Sequence, residues 1–145
     1  MPKVIILRGL PASGKTTKAR ELVVNSIATK RINRDDLRKM LDFNVYSEIN
    51  ESFIKHIEQS IVKELLKHDC SVVIDDTNIK NSTVDWWFIF IKSISSDIEI
   101  ETIWINTPLQ ECIDRDSKRK DSVGEKVIRI LNEQRQLNST DTQKS

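Results

Sequence analysis

The chain has 145 residues, of which 38% are hydrophobic and 31% charged, the balance of one soluble globular domain that buries a real core, not of a disordered chain. Its formal net charge of +1 gives no global argument for nucleic-acid binding, so any such case rests on local clusters. No apolar stretch reaches membrane-span length and the run behind Lys3 is too short for a secretory signal, so no membrane association is expected and the expected location is cytoplasmic.

Val4-Ile5-Ile6-Leu7 predicts a buried strand. Directly behind it, Gly9-Leu10-Pro11-Ala12-Ser13-Gly14-Lys15-Thr16 fits GxxxxGK(S/T), the phosphate-binding loop pattern. Glycines let such a loop turn tightly enough to aim its N–H groups at phosphate oxygens, and the helix that follows adds its dipole. Lys15 is placed to reach the β- and γ-phosphates, and the Thr16 hydroxyl to ligate the Mg2+ that bridges them. Gly9, Ala12, Ser13, Gly14 and Thr17 complete the candidate nucleotide-binding set, and ATP or another NTP is the expected ligand.

The helix fed by this loop runs from Lys15 to about Ser26, with Ala19, Leu22, Val23 and Ile27 at helical spacing. Lys30 to Asn33 is a short second strand, and Asp35 to Leu41 a brief helix that Asp42-Phe43-Asn44 ends. A long amphipathic helix follows from Ser47 to about His68, with Ile49, Phe53, Ile57, Ile61 and Leu65 as its core stripe. Ser71-Val72-Val73-Ile74-Asp75-Asp76 is a third strand that stops on two acids, as a central parallel strand does when it presents carboxylates at its C-terminal edge.

The capping pattern Ser82-Thr83-Val84-Asp85 places the next helix, whose Trp86, Trp87, Phe88, Phe90 and Ile91 read as packing and not as a base-stacking platform. Ile98, Ile100, Ile103 and Ile105 mark a fourth strand. Thr107-Pro108-Leu109-Gln110 opens a helix with Thr107 as cap, and Ser122-Val123-Gly124-Glu125 caps the last one, which carries Val127, Ile130, Leu131 and Leu137. The stretch from Asn138 to Ser145 is polar and aperiodic and is read as a frayed tail, which leaves one domain over residues 1–137. Cys70 and Cys112 stand far apart and signal neither a disulfide framework nor a zinc site. Strands alternating with helices demand a parallel sheet covered on both faces: a three-layer α/β sandwich with four strands in the order 2-3-1-4.

Three further clusters follow elements whose C-terminal ends face one crevice: Asn33-Arg34-Asp35-Asp36-Leu37-Arg38, Asp75-Asp76-Thr77-Asn78, and Arg115 with Lys118-Arg119-Lys120. A phosphoryl acceptor hydroxyl needs a carboxylate to take its proton, which Asp35 or Asp36 can supply, and an adjacent arginine can hold an acceptor phosphate bidentately. Asp75 and Asp76 can serve a metal through water or orient that arginine, and the basic cluster ending in Arg119 suits a lid over the triphosphate.

Taken together, Gly9 to Thr16, Ile32 to Arg38, Asp76-Thr77-Asn78 and Arg115 to Arg119 resemble, over roughly residues 3 to 135, the kinase domain of phage-type 5′-polynucleotide kinases, P-loop NTPases. The resemblance implies transfer of a γ-phosphoryl group from an NTP to the 5′-hydroxyl end of RNA or DNA. It implies Lys15 and Thr16 on the donor phosphates and Mg2+, Asp35 as general base and Arg38 on the acceptor's 3′-phosphate. Asp76 would orient Arg38 with Thr77 beside it in the acceptor site, Arg115 and Arg119 would meet the nucleotide, and Asp75 would reach the metal through water. The chain departs from some relatives in carrying a second acid at Asp75 and Val123-Gly124 without a proline, and it shows no credible phosphatase motif. A P-loop kinase of a small metabolite or sugar nucleotide, and a nucleotide-gated binding module, are the competing readings.

Overall fold

Among the described residues four short segments, of which β1 and β3 are apolar runs, form one sheet: β1 (Lys3–Arg8), β2 (Thr29–Ile32), β3 (Ser71–Asp75) and β4 (Glu99–Trp104). The computed structural model describes residues 2–144, with side chains through residue 139. All pairings are parallel, as the alternation of strands and helices requires, and the order is β2-β3-β1-β4. Among the described residues six helices connect and cover the strands: α1 (Lys15–Val24), α2 (Arg34–Asp42), α3 (Glu48–Lys67), α4 (Asn81–Ile94), α5 (Leu109–Ser117) and α6 (Glu125–Lys144).

The period of two along each strand sorts its side chains between the two faces. Val4, Ile6, Ile32, Val72 and Ile74 pack with Ile54, Val62 and Leu66 of α3 and Trp87 and Ile91 of α4. Ile5, Leu7 and Val73 pack on the opposite side with Ala19 and Leu22 of α1. A third cluster, Leu10, Ile79, Cys112, Ile113 and Ile128, joins the phosphate loop to α5 and α6. The sheet therefore has helices on both faces, and its C-terminal edge is where the loops that follow β1, β2 and β3 converge.

Several local expectations are corrected. The buried line of α3 is Ile54, Glu58, Val62 and Leu66, one residue on from the expected stripe; Ile49 and Phe53 are exposed and Ile57, Ile61 and Leu65 only flank the core. A glutamate stands in the true line, so the apolar pattern points to the neighbouring one. Helix α1 stops at Val24, which leaves Ile27 exposed. In α6 the buried apolar position is Ile128, with Leu131 partly buried, while Val127, Ile130 and Leu137 are exposed.

The expected caps are replaced by tertiary bonds. Helix α4 begins a residue before Ser82, and the Thr107 hydroxyl donates to the Ser13 carbonyl at 2.6 Å. The Ser122 hydroxyl donates to Asp116 Oδ2. Helix α6 continues through the segment read as a frayed tail, and the Asn138 side chain accepts a bond from the Asn81 amide at 2.7 Å.

Candidate active site

The phosphate loop is cut to a close fit. Ala12 and Gly14 lie in the left-handed region at φ 62° and 107°, a reversal that turns successive amides inward. A Cβ on Gly9 would sit 2.8 Å from Ser13 Oγ and 3.0 Å from the Ile105 carbonyl, so that position has no room for a side chain. The Lys15 ammonium folds back over the loop and donates to the carbonyls of Gly9 at 3.0 Å and Leu10 at 2.7 Å. Burial, opposed in part by Asp75 and Asp76, lowers its pKa to about 8. Helix α1 starts at Lys15 without a side-chain cap, so its first amides remain for an anion.

Thr16 leads from this loop into a charged chain. Its hydroxyl donates to Asp75 Oδ2 at 3.0 Å, the same oxygen accepts from Arg31 Nε at 2.7 Å, and Arg31 Nη1 reaches Asp36 at 2.6 Å. Burial raises the Asp75 pKa despite Arg31 and Thr16. Thr16 and Asp75, expected as metal-side residues, are thus brought together as two oxygen donors at one point. They fit a hard cation that completes its shell with phosphate oxygens and water.

Asp76 is placed differently from the expectation. It does not orient Arg38: its Oδ1 accepts the Arg34 amide at 2.9 Å and its Oδ2 lies 3.6 Å from Arg34 Nε, with Glu58 of α3 3.7 Å from the same nitrogen. Glu58 Oε2 and Asp76 Oδ2 are both buried without a protein donor, yet the two carboxyls lie within hydrogen-bond reach of each other. A proton held on Glu58 removes one of the two like charges. Burial, followed by the neighbouring Asp76, pushes the Glu58 pKa up to about 10, which puts that proton in place at neutral pH.

Arg38 belongs to a second, more open unit. Nε and Nη2 donate to the two carboxylate oxygens of Glu51, each at 2.6 Å, and Nη1 donates to Asp35 Oδ1 at 2.7 Å. The Asp35 side chain is 75% exposed, so its second oxygen is open to an incoming group. Asn33 caps α2 by accepting the Asp36 amide, and its own amide nitrogen donates to the Asp75 carbonyl, which pins the start of α2 to the end of β3.

Two arginines approach from α5. Arg115 Nη1 lies 3.5 Å from the Ser13 carbonyl and flanks Gly14, while its Nη2 pairs with Glu111. Arg119 is exposed on the turn after α5, next to a segment that Asp116 organises by accepting from Ser122 Oγ and from the amides of Val123 and Gly124. Lys39 of α2 meets Asp121 of that segment at 2.5 Å, so the turn after α5 touches α2.

Thr77 and Asn78 hold the floor. The Gly9 amide donates to the Thr77 carbonyl at 3.0 Å, and the buried Asn78 amide group donates to the carbonyls of Leu7 at 2.7 Å and Asp76 at 3.2 Å. Arg8, buried at the end of β1, donates to the carbonyls of Asn78 and Ile79 and lies 4.2 Å from the Trp104 ring centroid. A cleft of about 370 Å3 opens beside Arg34 and Thr77, walled by Lys80, Thr83, Leu131 and Gln134 among others. Arg8, Arg31, Glu51 and Glu58 were not legible as site residues. Arg34 was legible only as part of its cluster.

A family described as an AAA domain matches residues 4–138. The chain belongs to that family. Within it, the chain has a P-loop kinase-like α/β fold. It is 30% identical over 134 residues to L-seryl-tRNA(Sec) kinase of Methanococcus maripaludis, a match that spans 90% of this chain and 51% of the relative. It is also similar to a chain of the Pnkp1/Rnl/Hen1 RNA repair complex, at 28% identity and a TM-score of 0.82 over 97% of this chain and 46% of that one. Kti12 of Chaetomium thermophilum, solved with ADP-AlF3, shares the fold at 19% identity and a TM-score of 0.67, over 90% of this chain and 79% of its own. The chain thus spans about half the length of the curated relative. Membership brings nucleotide binding with it, and among the described residues no helix is long and apolar enough to cross a membrane.

Proposed function

We propose that the protein transfers the γ-phosphoryl group of ATP or another NTP to the 5′-hydroxyl end of RNA or DNA. The observation that carries this reading is the pairing of Asp35 with Arg38 at 2.7 Å on α2, whose first turn is pinned to the strand end beside the phosphate loop. It puts an open carboxylate oxygen next to a guanidinium that two carboxylates hold in place, which suits a sugar hydroxyl flanked by a phosphate.

In this reading Lys15 leaves the loop carbonyls to meet the donor's β- and γ-phosphates. Thr16, and Asp75 through water, would hold Mg2+, which when bound would neutralise phosphate charge. Asp35 takes the proton of the attacking 5′-hydroxyl as its oxygen bonds to the γ-phosphorus and the nucleoside diphosphate departs. Arg38 holds the acceptor's 3′-phosphate, oriented by Glu51. Arg115 and Arg119 close over the charge that develops in transfer. Asp76 and Thr77 belong to the acceptor wall, where Asp76 with Glu58 fixes Arg34. Work on nucleic-acid ends in the cytoplasm is the setting that fits.

The similarity to a seryl-tRNA kinase supports a second reading, in which the acceptor hydroxyl belongs to an aminoacyl group on tRNA. The two readings share donor site and base. The experiment offers labelled ATP with a 5′-hydroxyl oligonucleotide, a seryl-tRNA and a panel of small hydroxylated metabolites. Label on the oligonucleotide is expected; label only on seryl-tRNA or only on a metabolite overturns the proposal.

A further inference from the structure

The connection between α2 and α3 carries large apolar side chains that the phosphoryl-transfer chemistry does not use. Phe43 is 88% exposed, Val45 62% and Tyr46 69%. Such a concentration of exposed apolar side chains on one short tip marks an interaction surface.

The tip is ordered. The amides of Phe43 and Asn44 both donate to the Arg38 carbonyl, the Val45 amide donates to the Asp42 carbonyl at 2.9 Å, and Asn50 Nδ2 donates to the Val45 carbonyl at 3.4 Å. Phe43 and Asn44 sit at φ 49° and 65°, a left-handed conformation that a bulky residue adopts only at a cost. The fold accepts that cost at the most exposed phenylalanine of the tip. The ends of the tip are also clasped together, because Arg38 lies just before it, Glu51 just after it, and the two form a pair of bonds at 2.6 Å.

Position along α2 supplies the direction. Asp35 stands in the first turn beside the phosphate loop and Arg38 about one turn on. Phe43 follows after roughly a further 7 Å at 1.5 Å per residue. Hydroxyl, first phosphate and aromatic surface thus follow in the order in which a single strand would meet them, and 7 Å accommodates about two stacked nucleotides at 3.4 Å each.

We propose that Phe43 and Tyr46 form a stacking surface for the nucleobases of the acceptor strand just beyond its reactive end, so that the enzyme favours polynucleotides over mononucleotides. This rests on the reading of Asp35 and Arg38 as the acceptor site. Aromatic faces accept any base, so the preference is for chain length and not for sequence. Asp42 and Glu48 flank the tip, so the gain comes from stacking and depends weakly on salt.

The test compares kcat/KM for a nucleoside 3′-monophosphate, a dinucleotide, a tetranucleotide and an octanucleotide, all with 5′-hydroxyls, for the native protein, the double variant Phe43→Ser with Tyr46→Ser, and the conservative variants Phe43→Trp and Tyr46→Phe. The native ratio of octanucleotide to monophosphate is expected to fall roughly tenfold for each stacking base lost in the double variant. The conservative variants are expected to retain it. A ratio unchanged in the double variant, or an equal loss on every acceptor, overturns the proposal while leaving the kinase reading intact. An unchanged ratio with a native dimer that the double variant abolishes in sedimentation makes the tip a protein-docking face instead. Native protein that labels seryl-tRNA or a metabolite but no member of the oligonucleotide series overturns both readings.

Discussion

Arg38 and Glu51 face each other across the α2–α3 connection in a fork-to-fork pair, Nε to Oε2 and Nη2 to Oε1, both at 2.6 Å. The carboxylate occupies one edge of the guanidinium and Asp35 touches its other terminal nitrogen, so the plane of Arg38 is set before an acceptor arrives. Replacing Glu51 by Ala frees that plane. We expect the acceptor KM to rise about tenfold, the worth of one charge-assisted bond of this kind, with the donor KM within about twofold of native. Glu51→Gln, which keeps one accepting oxygen, falls between. Steady-state kinetics with each substrate varied in turn checks this, and an equal rise in the donor KM would show that Glu51 supports the whole domain instead.

Asp35→Ala separates catalysis from nucleotide binding. Loss of a general base costs roughly 10²–10⁴-fold in rate, whereas Asp35 makes its one side-chain bond to Arg38 and none to the phosphate loop. Transfer should fall by at least about a hundredfold while titration calorimetry returns an ATP affinity close to native. A collapse of donor binding would remove Asp35 from the acceptor side. A protein that only gates a partner through nucleotide binding would keep its output in this variant.

Lys15 provides a pH signature. Burial lowers its pKa from 10.5 to about 8 in the free protein, where it rests on the Gly9 and Leu10 carbonyls. A polyanion in the loop restores the charged form, so triphosphate binding should take up a proton between about pH 8 and the ordinary lysine range. Calorimetry at about pH 9 in buffers of different ionisation heat reads that uptake, and Lys15→Met should abolish it. In the free protein the sign for stability is the reverse of a favourable pairing. The unfolded chain keeps a proton that the folded one releases, so this residue makes folding more favourable as pH rises from about 8.

Glu58 acts in the opposite direction. Burial and then Asp76 raise its pKa from 4.5 to about 10, so the folded chain holds a proton that the unfolded chain gives up. Stability from this group is full below pH 4.5 and drains away as pH climbs towards 10. Glu58→Gln keeps a neutral donor beside Asp76 without that drain. Its Tm should exceed the native value by about 3 °C at pH 8, roughly 1 kcal/mol in a chain of this size, and the two should converge near pH 5. Glu58→Ala, which leaves Asp76 facing a void, should melt lower than both.

Most of the sheet was legible because its signals are local. Val4 to Leu7 and Val72 to Ile74 are apolar runs that end on loop chemistry, and the motif from Gly9 to Thr16 states its purpose in eight residues. The face of α3 was not, since periodicity counts apolar residues and Glu58 is a buried acid that burial and a carboxyl eighteen positions away keep protonated. Thr107 and Ser122 look like caps, yet their hydroxyls go to Ser13 and Asp116, because a tertiary acceptor competes with the local amide for one hydroxyl. Glu51 carries no motif at all. Only the fold of α3 back along α2 brings it to Arg38 and leaves Asp76 to Arg34.

The Asn78 side chain and the Gly9–Thr77 bond fasten the ends of β1 and β3 to each other. One consequence is kinetic: the start of the phosphate loop should open only together with the centre of the sheet. The Gly9 amide should then exchange with deuterium as slowly as those of Ile5 and Ile6, and far more slowly than amides of the turn around Arg119. On the proposed reading the donor cradle is a fixed anvil, and any closing motion falls to the turn after α5.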